Sequence, residues 1–180
     1  WDGGFDGTLE EAMQKEVELF FETDVEGLRE PDIEEQFTAA FGSSEITTVK
    51  AAYALAQFQR TMVSADSRFD RYLGGDSEAM SDAEKRGMQL FYSEEAECFH
   101  CHATNLFTDN LFHNIGLLAD ADIAGAGRAH ISGDSSDDGL FKTPTLRNVE
   151  YSAPYMHDDR FATLEEVVDH YSEGMLPSRT

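Results

Sequence analysis

The only two cysteines of this 180-residue chain stand one helical turn apart, and a histidine follows the second directly: Cys98-Phe99-His100-Cys101-His102. A disulfide-stapled domain spreads several cysteines along its length, so stapling is ruled out as the source of stability. C-x-x-C-H is the pattern of c-type haem attachment, in which two thiols add to the vinyl groups of one macrocycle and the adjacent histidine is placed to ligate the iron. Other readings of the pair stand beside this one. Half of a zinc site would need two further ligands, for which His100, His113 and His130 are available. A thioredoxin-like redox pair would need a βαβ setting, and the third alternative is coincidence.

The motif sits in a chain that reads as mostly helical. Capping boxes open three helices: Thr8-Leu9-Glu10-Glu11, running to about Phe21; Ser81-Asp82-Ala83-Glu84, to about Tyr92; and Thr163-Leu164-Glu165-Glu166, stopping at Gly174. Pro31 fits the first turn of a short helix ending near Phe41. Between Ser44 and Val63, Ile46, Val49, Tyr53, Ala56 and Val63 recur near the helical period, which predicts a buried packing helix. No run alternates like a strand, so an all-α fold is expected. From Ala103 to Asn148 the chain is rich in Gly, Asp, Asn and Ser, a long loop-rich stretch of the kind that serves function or wraps around something. Leu73-Gly74-Gly75-Asp76 is the expected boundary, dividing residues 1–74 from the chemistry-bearing residues 75–180.

Charge narrows the partners. With 41% hydrophobic and 27% charged residues the chain is apolar enough to fold, and no stretch approaches the ~18 consecutive apolar residues of a membrane helix. Lys plus Arg number 13 against 36 Asp plus Glu, a net charge of −23. A surface this negative repels nucleic acid and anionic membranes, and it suits either the steering of a cationic protein or solubility at high salt.

Trp1-Asp2-Gly3-Gly4, Phe69-Asp70-Arg71-Tyr72-Leu73, Glu97-Cys98-Phe99-His100-Cys101-His102, Leu106-Phe107-Thr108-Asp109-Asn110, Phe112-His113-Asn114, Phe141-Lys142-Thr143-Pro144-Thr145-Leu146-Arg147-Asn148 and Ala153-Pro154-Tyr155-Met156-His157-Asp158 together resemble the bacterial di-haem cytochrome c peroxidase and MauG family, nearest its MbnH-like tryptophan-oxidising branch. The resemblance implies a cytochrome c-like haem domain in the C-terminal part and the remnant of a second, N-terminal one. It implies one covalent haem c here, a calcium ion, hydrogen peroxide as oxidant and a periplasmic location. It further implies a partner protein as substrate or electron donor. A first C-x-x-C-H, and with it a second haem, is expected upstream of the tryptophan at which this sequence starts, so the chain reads as a processed protein or a piece of a longer one. The C-terminal helix that usually follows this region in the family is absent too.

Residue roles carry over position by position. Leu164, Val167, Val168 and Tyr171 share a helical face, which turns Tyr171 inward, where its bland reading is a core tyrosine bonded to a carbonyl. In the resemblance, the position fourteen past His157 holds methionine in ordinary di-haem peroxidases and tyrosine in MauG-type enzymes, and here it is Tyr171. An anionic phenolate favours ferric iron, whereas a thioether favours ferrous. Met156 and Met175 stay open as rival ligands. Trp1 corresponds to an inter-haem relay, or else to a core anchor. The carbonyls of Ser152 and Pro154 correspond to calcium ligands. Glu26, with Glu22 second, corresponds to the acid-base residue for peroxide, against the reading of a solvated glutamate. Arg147 and Lys142 are candidates for haem propionates, with surface ion pairs as the alternative, and His113 and His157 for orienting the site. Two functional rivals remain: a peroxidase fed by a small redox protein, with methionine ligation, and a mono-haem electron-transfer protein.

Overall fold

The computed structural model describes residues 1–20, 24–119 and 122–177. They form two compact units, one spanning Phe5–Val63 and the other joining Trp1–Gly4 to the chain from Ser64 onward.

In the unit Phe5–Val63, helix α1 (Leu9–Lys15) starts where expected. The Thr8 hydroxyl accepts the Glu11 amide at 3.2 Å, and the Glu11 carboxylate accepts the Thr8 amide at 2.7 Å. It passes into a wider π turn, Glu16–Phe20, and a 3-10 turn, Val25–Leu28, follows the undescribed residues. Helix α2 (Pro31–Phe41) carries Pro31 in its first turn and ends at the left-handed Gly42. Helix α3 (Thr48–Thr61) is capped by Thr47. Val17, Val25 and Ile46 form the core, with Ile33, Phe37 and Ala51 against it, each buried aliphatic contributing roughly 1.5–3 kcal/mol.

The expected buried face of α3 is realised only in part. Ala52 and Ala56 are fully buried, while Val49, Tyr53 and Val63 are exposed. Ile46 and Val63 lie outside the helical span, where the 3.6-residue period does not apply, and the two alanines let a neighbouring backbone approach closely. Arg60 ties α3 to α1 through a forked contact with Glu10, at 2.6 and 3.1 Å.

The second unit begins at Ser64, ahead of the expected boundary near Gly74-Gly75, because helix α4 (Arg68–Leu73) is bound to the C-terminal chain. Asp70 on α4 receives two hydrogen bonds from Arg147, at 3.0 and 2.8 Å, and Asn148 donates to the Ser64 hydroxyl at 2.7 Å. Helix α5 (Asp82–Phe91) follows its Ser81 box, and helix α6 (Phe99–His102) is one turn.

Strands β1 (Phe112–His113) and β2 (Phe141–Lys142), with the short helix α7 (Ala129–Ser132) between them in sequence, pair antiparallel, His113 opposite Phe141. The fold is therefore mostly helical with a small sheet, not all-α. A two-residue ladder is too short to leave an alternating pattern in sequence. Helix α8 (Leu164–Asp169) runs from the Thr163 box into a π turn, His170–Gly174.

The first residues are strapped onto this unit: the Lys142 amide donates to the Trp1 carbonyl at 2.8 Å, and Arg128 to the Gly3 carbonyl at 2.9 Å. Gly3 has a φ of 74°, and a Cβ there would lie 2.6 Å from both Arg128 Nη1 and Phe112 Cζ, so only glycine fits. Among the described residues no helix is long and apolar enough to cross a membrane.

Candidate haem c site

Helix α6 does for the motif what its spacing predicts. Cys98 lies at the helix start and Cys101 within the turn, and both are free and half-buried. Burial raises both thiol pKa values, with the Asp109 carboxylate adding to the rise at Cys101. Both therefore stay protonated at neutral pH.

His102 is held by a 2.6 Å hydrogen bond between its Nδ1 and the Phe107 carbonyl. A carbonyl only accepts, so Nδ1 carries the proton and Nε2 keeps its lone pair for a metal. Phe107 takes a left-handed φ of 53° to present that oxygen. The loop is pinned on both sides of it. Thr104 donates to the Thr108 carbonyl at 2.9 Å, and the buried Thr108 hydroxyl donates to the Thr143 carbonyl at 2.7 Å. Thr145 donates to the Leu106 carbonyl, and Arg147 Nε to that of Asn105 at 2.9 Å.

Arg147 thus has its guanidinium divided between Asp70 and Asn105, and it lies 5.7 Å from the centre of the Phe107 ring. The Arg147 hydrogen bonds hold the Asp70 carboxyl far below the usual range. The carboxylate that Arg147 pairs is therefore one of the chain's own. Lys142 donates from Nζ to Asn110 Oδ1 at 2.8 Å.

His113 is brought to the motif. Its Nε2 lies 2.6 Å from Asp109 Oδ2, and the donor atoms of Cys101, Asp109 and His113 fall within 4.8 Å of one another. Burial pushes the Asp109 pKa up, but the Leu111 amide, His113 and Thr143 outweigh it and the net shift is downward. Phe141 of β2 stacks on His157, ring centres 3.6 Å apart, and the buried His157 Nε2 has no hydrogen-bond partner among the described residues.

Tyr171 closes the other side. It is 45% exposed, yet its pKa is pushed up to about 12, first by burial and then by the neighbouring Cys101 and Cys98 thiols. Tyr171 thus lies close enough to both cysteines for their charge to act on its phenol. The helical stripe was expected to turn Tyr171 inward, and it does not: both Val168 and Tyr171 are exposed, because the buried position falls one residue earlier. Val168 is 62% exposed, and the buried member of this face is His170 in the π turn, its Nε2 2.8 Å from the Ile115 carbonyl. Met175 is 48% exposed beyond the turn, and Met156 is half-buried with a φ of 73°.

The remaining candidates are dispersed. Trp1 is 60% exposed beside β2. Ser152 and Pro154 lie on an exposed segment, and neither carbonyl accepts a backbone hydrogen bond among the described residues. Glu26 belongs to the 3-10 turn Val25–Leu28 of the other unit, and Glu22 lies outside the described residues. Asp109, the Phe107 carbonyl and His170 were missed by sequence reasoning. Only Asp109 left a trace, four residues before His113.

These residues fit a covalently held haem. Two protonated thiols on one turn, an imidazole fixed with its metal-binding nitrogen free and a phenol close to both thiols suit a planar iron macrocycle. A zinc site does not fit as well: among the described residues no metal-sized cluster joins both thiols, and His100 lies instead beside Glu94 and Glu97.

Comparison with known proteins agrees. Residues 1–78 match the family described as di-haem cytochrome c peroxidase. The methylamine utilization protein MauG of Methylorubrum extorquens is 40% identical over 97% of this chain and 51% of its own length. Cytochrome c551 peroxidase of Nitrosomonas europaea is 36% identical over 77% of this chain and 42% of its own. The chain thus spans about half the length of the curated relatives it matches. A crystal structure of a MauG-like protein associated with microbial copper homeostasis superposes with a TM-score of 0.84 at 35% identity, covering 100% of this chain and 61% of that one. With the haem-attachment turn, the fixed histidine and the matching fold in hand, the chain belongs to the MauG and di-haem cytochrome c peroxidase family of haem oxidoreductases.

Proposed function

We propose that this chain is the distal, haem-bearing portion of a MauG-type enzyme nearest the MbnH-like branch, which uses hydrogen peroxide to oxidise a tryptophan of a partner protein over a distance. What supports it is that a tyrosine, Tyr171, stands fourteen residues past His157 and close enough to Cys98 and Cys101 for them to act on its phenol. When bound, a haem c supplies one-electron chemistry at iron.

The chain's own residues set how that chemistry runs. The Cys98 and Cys101 thiols would hold the group covalently, and His102 Nε2 would be its nitrogen ligand, with the Phe107 carbonyl fixing the tautomer and plane of the ring. Tyr171 would supply an oxygen ligand, and an anionic oxygen donor favours the higher oxidation states of iron, which suits a store of oxidising equivalents. Trp1 would relay charge from a second haem in an N-terminal part of the protein, where Glu26 or Glu22 would handle the peroxide protons. Lys142 would neutralise a propionate, and the carbonyls of Ser152 and Pro154 would hold calcium. Covalent haem assembly goes with export to the periplasm.

Electron paramagnetic resonance and redox titration of the full-length holoprotein test this. A ferric centre with oxygen ligation and a low potential is expected, and Tyr171→Met is expected to raise the potential and convert the spectrum to a histidine–methionine type. A wild-type histidine–methionine spectrum would overturn the reading in favour of a peroxidase fed by a small redox protein. One haem per full-length chain without peroxide reactivity would reduce it to an electron carrier.

A further inference from the structure

A row of aromatic rings starts at Phe107, whose backbone contacts His102. The Phe107 carbonyl holds the His102 ring. The Phe107 ring meets Phe91 edge-on, with centres 6.1 Å apart, and Phe91 meets Tyr92 edge-on at 5.1 Å. Phe91 and Phe107 are half-buried, while Tyr92, which caps the end of α5, is 39% exposed. The row therefore begins at the residue whose carbonyl holds His102 and ends at the surface.

Its members differ in chemistry. The benzyl rings of Phe91 and Phe107 resist oxidation and act only as a medium between neighbours in contact. Tyr92 is a phenol and gives up one electron with one proton. Other tyrosines of this unit are less suited: Tyr72 lies under the Lys85 ammonium, 5.6 Å from the ring centre, which raises the cost of removing an electron, and Tyr155 spends its hydroxyl on the Val149 carbonyl. The chain after Tyr92 exposes Glu94, Glu95 and Glu97, so the surface around this phenol attracts positive charge.

We infer that Tyr92 is an electron-entry relay, passing single electrons from a cationic donor through Phe91 and Phe107 towards the haem anchored at Cys98, Cys101 and His102. The inference rests on the haem reading above and adds a route into it. In each turnover the Tyr92 phenol gives one electron inward and its hydroxyl proton to water, leaving a neutral phenoxyl. The oxidant is hydrogen peroxide, acting at the second haem expected in the N-terminal part of the protein. A positively charged one-electron donor then returns the electron, and water returns the proton.

The test uses the full-length holoprotein as wild type, Tyr92→Phe and Tyr92→Trp. Each is treated with stoichiometric hydrogen peroxide without a donor, in the presence of a spin trap, and followed by optical spectroscopy, paramagnetic resonance and peptide mass spectrometry. In wild type the trap is expected on Tyr92, with a tyrosyl signal. In Tyr92→Phe both are lost while the optical response of the haem to peroxide is retained. Re-reduction by hexaammineruthenium(II) is expected to slow severalfold in Tyr92→Phe and to recover in Tyr92→Trp, whose indole is oxidisable. An unlabelled Tyr92 beside a normal haem response overturns the relay alone. Absence of any haem response in wild type overturns the haem reading and the relay together.

Discussion

His170 offers the sharpest test of how the turn carrying Tyr171 is held. It is 6% exposed, and its Nε2 lies 2.8 Å from the Ile115 carbonyl, fixing the π turn that carries Tyr171 against the chain just beyond β1. Gly174 crowds the other edge of the ring, where a Cβ would stand 3.3 Å from Nδ1. Replacing His170 with Leu keeps most of the volume and removes the donor, leaving the half-buried Ile115 carbonyl without this partner. An orphaned buried acceptor costs about 1–3 kcal/mol, against which a leucine of similar volume leaves little further cavity cost. For a domain of this size each kcal/mol shifts Tm by about 2–4 °C, so a fall of roughly 2 to 12 °C is expected.

The stability assay is thermal denaturation followed by far-ultraviolet circular dichroism. The site assay is the ferric spectrum of the holoprotein, because a π turn released from Ile115 lets the neighbouring phenol move. His170→Gln retains an N–H able to reach the same carbonyl and is expected to recover most of both readouts. An unchanged Tm in His170→Leu refutes the hydrogen-bond argument. A lowered Tm with an unaltered ferric spectrum refutes the claim that this contact positions Tyr171.

Two further outcomes follow from the same geometry. Replacing both Cys98 and Cys101 with Ser is expected to abolish haem that survives denaturing electrophoresis, while either single replacement retains a covalent band through one thioether. Loss of the band in both single variants would contradict independent attachment by the two thiols. Stability should also depend on pH through His157, whose pKa is lowered mainly by burial. A histidine depressed in the folded state contributes stability that is complete above its unfolded value near 6.5 and declines as pH falls from there towards the folded value. His157→Phe, which keeps the stack on Phe141, should flatten that decline in denaturant titrations run across the range, and an unchanged slope would refute the assignment.

How much of this was legible in the sequence depended on whether the information was local. Thr8, Ser81 and Thr163 announced their helices because a capping box closes within four residues, and all three boxes are formed. The turn carrying Cys98, Cys101 and His102 was legible for the same reason, since their spacing is a property of one helical turn. The boundary at Ser64 was not, because what draws α4 into the C-terminal unit is Arg147, far along the chain from Asp70. The paired strands escaped notice because two residues are too few to alternate.

The site itself divides along the same line. A sequence motif names the atoms that bond to a cofactor, but the tautomer and aim of those atoms come from partners chosen by the fold. The Phe107 carbonyl that fixes His102, and the Ile115 carbonyl that fixes the turn before Tyr171, are backbone groups and carry no side-chain signature. Arg147 shows the converse: its charge invited a propionate, yet a capped helix supplied Asp70 as the nearer anion, and the arginine instead braces the loop that presents the Phe107 oxygen. Ligand identity is thus written in residue types, whereas ligand geometry resides in contacts between distant backbone segments. Substitutions at Asp70 and Arg147 should accordingly disturb the orientation of the His102 ring before they disturb retention of the haem.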